Sequence, residues 1–315
     1  MILFDEEFVE RKHKVFHTEI GDLPSGTKIP LISHVFHSGT DGPVVALIGG
    51  LHGDEINGVE VLRQMLVEGS FNDLTRGTLI VIPLLNFYGF INFSREVMNG
   101  KDVNRSFPGN SKGSLASKVA RMVTTQVVPK SDLIIDLHTG GASRYNFPQI
   151  RYTKGDTKSR AFAEIFAPPV ILDRNVIAGS LRSVSDRYGV PTLVYEAGES
   201  KRWCGYSIRV GKEGILRVLS HMQMMNSDVR PPVHAVHHFT KTKWIRAEDS
   251  GLYTWTKSSG QYVVAGEPLG FIGSPSGEEY RRVIATFDGF IIGHNNAAVV
   301  NTGDALFHVG MIEQE

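Results

Sequence analysis

Five short apolar runs constrain this chain more than any other feature: residues 44–48, 79–85, 133–137, 170–172 and 192–195, set off by glycine, proline or polar residues. They are shorter than buried helices usually are, and consecutive apolar positions suit strands covered on both faces. Between the first two runs, Ile56, Val59, Leu62, Met65 and Leu66 fall at helical spacing, and Leu115, Val119, Met122, Val123 and Val127 repeat the pattern before the third. Strands alternating with helices require crossover connections. The prediction is an α/β fold with a mostly parallel or mixed sheet covered by helices.

The texture changes after Asn226, which divides the 315 residues into 1–226, a connection over 227–243, and a β module over 244–315. The last part reads as short strands between Gly, Pro, Asn and Asp turns, with no helical period. Within it, the stretches beginning at Val264 and at Val300 share a G-[DE]-x-L pattern that predicts two quasi-equivalent hairpins. Lys+Arg and Asp+Glu both number 33, so net charge gives no reason to expect nucleic acid or an anionic membrane as partner. A single cysteine, Cys204, cannot form an internal disulfide. The N-terminal stretch carries acids where a secretory signal carries bases, and no apolar run approaches the ~18 residues of a membrane span, so the expected setting is cytoplasmic. A homo-oligomer is compatible with this composition.

Four stretches carry residues suited to chemistry, and each follows one of the apolar runs. Gly49-Gly50-Leu51-His52-Gly53-Asp54-Glu55 offers an imidazole and a carboxylate three residues apart, a spacing that lets both converge on one metal ion. Asp136-Leu137-His138-Thr139-Gly140 adds a second imidazole at the same sheet edge, where open parallel sheets place their function. Two histidines and a glutamate form a known catalytic zinc arrangement because three protein ligands leave the fourth position open. Asp136 points to the same side of the strand as His138, either to orient the imidazole or to serve another partner. In Tyr195-Glu196-Ala197-Gly198-Glu199, Glu196 is the candidate general acid/base, with Glu199 expected in solvent and kept as its alternative. In the stretch from Asn86 to Gly109, Arg95 is a candidate oxyanion partner, and Asn104 with Arg105 are candidate carboxylate binders. The remaining histidines are expected elsewhere: His13, His17, His34, His37, His294 and His308 at surface or hairpin positions, and His234, His237 and His238 in the connection without a metal. There is no P-loop, dinucleotide fingerprint or G-x-S-x-G element.

Taken in order, H-x-x-E, N-x-x-G-F followed by R, D-x-N-R-x-F-P-G, D-L-H-[ST]-G and E-x-G-E resemble the succinylglutamate desuccinylase/aspartoacylase family, itself similar to the zinc carboxypeptidases. The resemblance implies a zinc-dependent hydrolase with one Zn2+ per chain that removes an acyl group from a small N-acyl amino acid. It carries over His52, Glu55 and His138 as zinc ligands, Glu196 as general acid/base, Arg95 as carbonyl partner, and Asn104 with Arg105 as carboxylate binders. Within the family the layout leans towards N-acetyl substrates, including compounds like N-acetyl-diaminobutyrate. Metallocarboxypeptidase action on a peptide or peptidoglycan fragment is the nearer alternative, and a non-catalytic binding protein the more distant one. The C-terminal part resembles a biotinyl/lipoyl-like module, but the tip stretch from Ser274 to Arg282 has no carrier lysine. A cap over the site is therefore its expected role.

Overall fold

A computed structural model describes residues 2–226, 231–277 and 280–311. Positions 227–230 of the expected connection and 278–279 of the expected tip lie outside the described residues. All five apolar runs are strands: Val44–Gly49, Thr78–Ile82, Leu133–Gly140, Val170–Arg174 and Thr192–Glu199. The first run of helical period is the helix Ile56–Val67, and the second is Leu115–Met122 continued by a looser turn over Val123–Val127. Val44–Gly49 pairs in parallel with both Thr78–Ile82 and Leu133–Gly140, and Thr192–Glu199 pairs in parallel with Leu133–Gly140.

The sheet is buried from both sides, which explains the unbroken apolar runs. Val45, Leu47, Ile135 and Leu137 meet the helices Ile56–Val67, Thr157–Phe166 and Gly205–His221 on one face, packing with Leu62, Phe166 and Val218. Ala46, Ile48 and Ile134 join Val119 and Val184 of the helices Leu115–Met122 and Leu181–Arg187 on the other.

Two strand groups fell outside the sequence reading. Lys12–Asp22 and Lys28–His37 form a long antiparallel hairpin at one sheet edge. Alternation in the first strand is blurred because Lys14 and Thr18 occupy its half-buried positions while Val15 is on the exposed side. Within the expected connection, His237–Phe239 adds in parallel to Val170–Arg174. The C-terminal strands divide between the large sheet and a smaller one of their own. Gly289–Asn295 pairs with Arg144–Thr153, and Ala305–Met311 and Thr242–Arg246 follow outward, so the large sheet runs from the hairpin into the C-terminal part. A smaller four-stranded sheet closes over it around Tyr253, Leu269 and Phe307.

The repeated G-[DE]-x-L pattern marks two equivalent turns. Glu267 Oε2 accepts from the Val264 N–H at 3.1 Å, and Asp304 Oδ2 accepts from the Asn301 N–H at 2.8 Å. Gly266 and Gly303 both take left-handed backbone, with φ of 84° and 90°. Their N–H groups donate to the carbonyls of Ala285 and Ala247, each at 2.8 Å.

Candidate metal centre

The loop after Val44–Gly49 is shaped by close backbone approach. A Cβ on Gly53 would lie 2.0 Å from the carbonyl carbon of Gly89, so only glycine lets this loop press against the Phe87–Ile91 turn. Asn86 caps that turn by accepting from the Gly89 N–H at 2.8 Å, and its amide donates to the Arg95 carbonyl at 3.2 Å. Asp102 accepts from the Asn104 N–H at 2.7 Å and starts the turn Val103–Arg105. These local bonds bring the stretch from Asn86 to Arg105 onto His52 and Glu55.

His52, Glu55 and His138 meet, at 3%, 2% and 4% exposure. Glu55 stands at the N-cap of the helix Ile56–Val67, yet its carboxylate makes no capping bond. It lies instead 2.8 Å from both His52 Nδ1 and His138 Nδ1, accepts from the Thr139 N–H at 3.0 Å, and takes Arg95 Nη1 at 3.2 Å. The two Nδ1 atoms are 3.2 Å apart. Their opposite ring nitrogens face carboxylates: His138 Nε2 lies 2.8 Å from Asp136 Oδ2, and His52 Nε2 lies 3.3 Å from Asp102 Oδ1 without an aligned hydrogen bond. Asp102 also accepts Arg95 Nε and Nη2 at 3.1 and 3.0 Å.

Two buried imidazoles and a carboxylate turned to one point, with outer carboxylates behind the rings, match the donor set of a three-residue zinc site. The charge balance points the same way. Burial opposes ionisation of Glu55, but the flanking His52 and His138 overcome it and hold the carboxyl well below its ordinary value. Burial likewise works against charge on His138, while Asp136 and Glu55 raise it well above the imidazole range. The cluster draws positive charge, which a divalent cation bound there would supply in place of protons.

Glu196 lies beside His138 in the parallel register of Thr192–Glu199 and Leu133–Gly140. Both strands run past their sequence-predicted ends, so Glu196 and His138 are within strands, and a register shift between Glu196 and Glu199 accommodates the extension. The Glu196 carboxylate accepts from Arg151 Nη1 and Asn146 Nδ2, each at 2.9 Å. Glu199 is not in solvent: Asn296 Nδ2 donates to its Oε2 at 2.6 Å, and Asn57 donates to its carbonyl.

One cavity of about 280 Å³ collects His52, Glu55, His138, Arg95, Asn104, Arg105, Asp136 and Glu196. The Asn104 amide oxygen accepts from the Leu181 N–H at 2.8 Å, leaving its NH2 as donor, and Arg105 Nη1 bonds the Asn104 carbonyl. Arg144, Asn146, Arg151, Arg182 and Trp244 also line the cavity and were not singled out from sequence. Arg144 and Asn146 share a face by alternation in the strand Arg144–Thr153, and a register shift between Glu196 and Gly198 brings Arg151, of opposite parity, to the same cavity. Trp244 reaches the cavity from the C-terminal part.

Three histidines depart from the surface positions expected of them. His37, His294 and His308 are buried, with hydrogen bonds to Thr78, Ser259 and Thr242 respectively. Among the described residues, His234, His237 and His238 form no metal-ligand cluster.

A mixed α/β sheet carries at one edge a His-Glu-His cluster able to hold a metal ion. The family model described as the succinylglutamate desuccinylase/aspartoacylase catalytic domain matches residues 41–222, and the chain belongs to that family. It is 27% identical over 288 residues to the N-alpha-acetyl-L-2,4-diaminobutyric acid deacetylase of Halomonas elongata, covering 84% of this chain and 81% of the relative. Its fold is similar to a succinylglutamate desuccinylase/aspartoacylase from Rhodobacter sphaeroides, with a TM-score of 0.87, 24% identity and coverage of 99% and 98% of the two chains. It is also similar to the product-bound ectoine utilization protein EutE (DoeB) of Ruegeria pomeroyi, with a TM-score of 0.84, 23% identity and coverage of 96% and 95%. Among the described residues, no helix is long and apolar enough to cross a membrane.

Proposed function

We propose that this protein is a zinc-dependent deacylase that hydrolyses the amide bond of a small N-acyl amino acid, with acetyl the favoured acyl group. The observation that carries the reading is the convergence of His52, Glu55 and His138 in one cavity with Glu196. In this reading His52 Nδ1, a Glu55 carboxylate oxygen and His138 Nδ1 would hold the ion, while Asp136 orients the His138 ring from behind and the Asp102 carboxylate faces His52 Nε2. A bound zinc ion supplies Lewis acidity and makes water nucleophilic near neutral pH. Glu196, oriented by Arg151 and Asn146, takes the proton of the attacking water and returns it to the leaving amine. Arg95, anchored on Asp102, stabilises the charge that grows on the carbonyl oxygen. Asn104 NH2 and Arg105 hold the amino-acid carboxylate.

The charges of the cavity support an anionic substrate. Glu55, Asp136 and Glu196 are each engaged by histidine or arginine, whereas among the described residues Arg105 and Arg182 bond only backbone carbonyls and Arg144 has no ion pair. The acetyl lean rests on the deacetylase relative from Halomonas elongata.

The test uses zinc-loaded protein with N-acetyl and N-succinyl amino acids beside C-terminal peptides. Hydrolysis of the N-acyl amino acids is expected. Glu196→Gln should retain zinc and lose on the order of 10²–10⁴ in kcat; full activity in this variant would refute the assignment.

A further inference from the structure

Trp244 is common to the walls of two cavities: the one that holds the metal cluster, and a second of about 390 Å³ within the C-terminal part, lined also by Arg246, Ile272, Arg282 and Ile284. We infer that Trp244 closes the far end of the active-site cavity and thereby sets how long an amino-acid side chain the enzyme accepts. The inference rests on the deacylase reading.

Three observations place Trp244 on the amino-acid side of the cluster. The Asn104–Arg105 turn is tied to the segment before Leu181, since Leu181 N–H donates to Asn104 Oδ1 at 2.8 Å and Phe107 N–H to the Gly179 carbonyl at 3.0 Å. Arg182, next in the chain, donates to the carbonyls of Arg174 and Asn175 at 3.4 and 2.8 Å. Arg174 Nη2 in turn donates to Thr242 Oγ1 at 2.8 Å, two residues before Trp244 on the same face of its strand. The residues proposed to grip the amino-acid carboxylate are thus bonded, link by link, to the strand that carries the indole.

The indole is held rigidly. It stacks on His308, with ring centroids 4.4 Å apart and planes 8° from parallel. Thr242 Oγ1 receives the Arg174 N–H at 2.8 Å and lies 2.9 Å from His308 Nε2, so the same hydroxyl ties down the ring on which the indole stacks. With Ile177 and Val194, Trp244 is one of three large apolar side chains lining a cavity otherwise made of polar groups and glycines. Trp244 lines both cavities, so truncating it would add space to each.

The experiment measures kcat/KM of zinc-loaded protein for N-acetyl-L-alanine and its 2-aminobutyrate, norvaline, norleucine and 2-aminooctanoate analogues. Wild type should favour the short members. Trp244→Ala should shift the optimum to longer side chains, gaining about tenfold or more on 2-aminooctanoate relative to alanine through KM, with Trp244→Phe intermediate. A variant that retains zinc and lowers every substrate by one common factor would overturn the inference, because loss of structure alone cannot create activity on long side chains. Absence of turnover across the whole wild-type series would count against the deacylase reading instead. Calorimetric binding of the same compounds then decides: affinity rising about fourfold per methylene in Trp244→Ala but not in wild type supports the gate, and parallel series refute it.

Discussion

Replacing Gly58 by alanine should separate the two halves of the metal cluster. Gly58 lies in the first turn of the helix Ile56–Val67, three residues after Glu55, and packs on the strand residue that precedes His138. A Cβ there would stand 2.5 Å from Leu137 Cβ and 2.8 Å from the Leu137 carbonyl oxygen, whereas ordinary contact begins at 3.4 Å. About 0.9 Å of clearance must come from moving the helix off the strand. Metal sites tolerate roughly 0.2 Å in ligand position, so a shift of this size pulls Glu55 and His52 away from His138. Overpacking costs about 1–3 kcal/mol, offset by about 1 kcal/mol from alanine's better helix propensity, so net stability falls by no more than about 2 kcal/mol. The expected result is a folded variant with zinc affinity weakened about 10–100-fold, read by competition with a chromophoric chelator alongside thermal unfolding. Gly205→Ala is the control, since a Cβ there meets nothing within 4 Å. Wild-type zinc affinity in Gly58→Ala would refute the view that this contact sets the spacing of the cluster.

Two further outcomes follow. His294 is buried between Tyr145 and Trp255, and burial pushes its imidazole down from 6.5 to about 4. The unfolded chain therefore takes this proton near pH 6.5 while the folded chain resists it until about 4, so stability is present above 6.5 and is lost as pH falls through that window. The loss should reach about 2 kcal/mol by about pH 5. Denaturant midpoints should show a shallower pH slope for His294→Asn, and an identical slope would remove His294 as a source. Glu199→Gln should keep activity within about threefold of wild type, because the amide oxygen still accepts from Asn296; a loss matching Glu196→Gln would return Glu199 to the general-base role.

The parts of the fold legible in the sequence were those governed by local rules. The strand from Val44 and the helix from Ile56 declare themselves through periods that survive without knowledge of their partners. The residues brought into the cavity from the motifs were legible because strand ends and short turns fix them within a few positions. Arg151 and Trp244 were not, because each takes its place from pairing across the sheet: Arg151 opposite Val194, and Trp244 opposite His308. The buried histidines were misread for a related reason. Polarity alone places an imidazole at the surface, and only the tertiary structure provides Thr242 for His308 or Ser259 for His294. The hairpin Lys12–Asp22 and Lys28–His37 lacks the glycine-flanked apolar runs that announced the central strands.

The hydrogen bonds between Gly289–Asn295 and Arg144–Thr153 bear on how such a molecule can be altered. Asn146 orients Glu196 from one side of this seam while Gly293 faces it from the other. A chimera joined at the connection after Asn226 would inherit a foreign neighbour for the very strand that steers the carboxylate. The workable unit of exchange is thus the sheet as a whole, and the cut that looks cleanest along the polypeptide is the one that crosses the most consequential pairing in space.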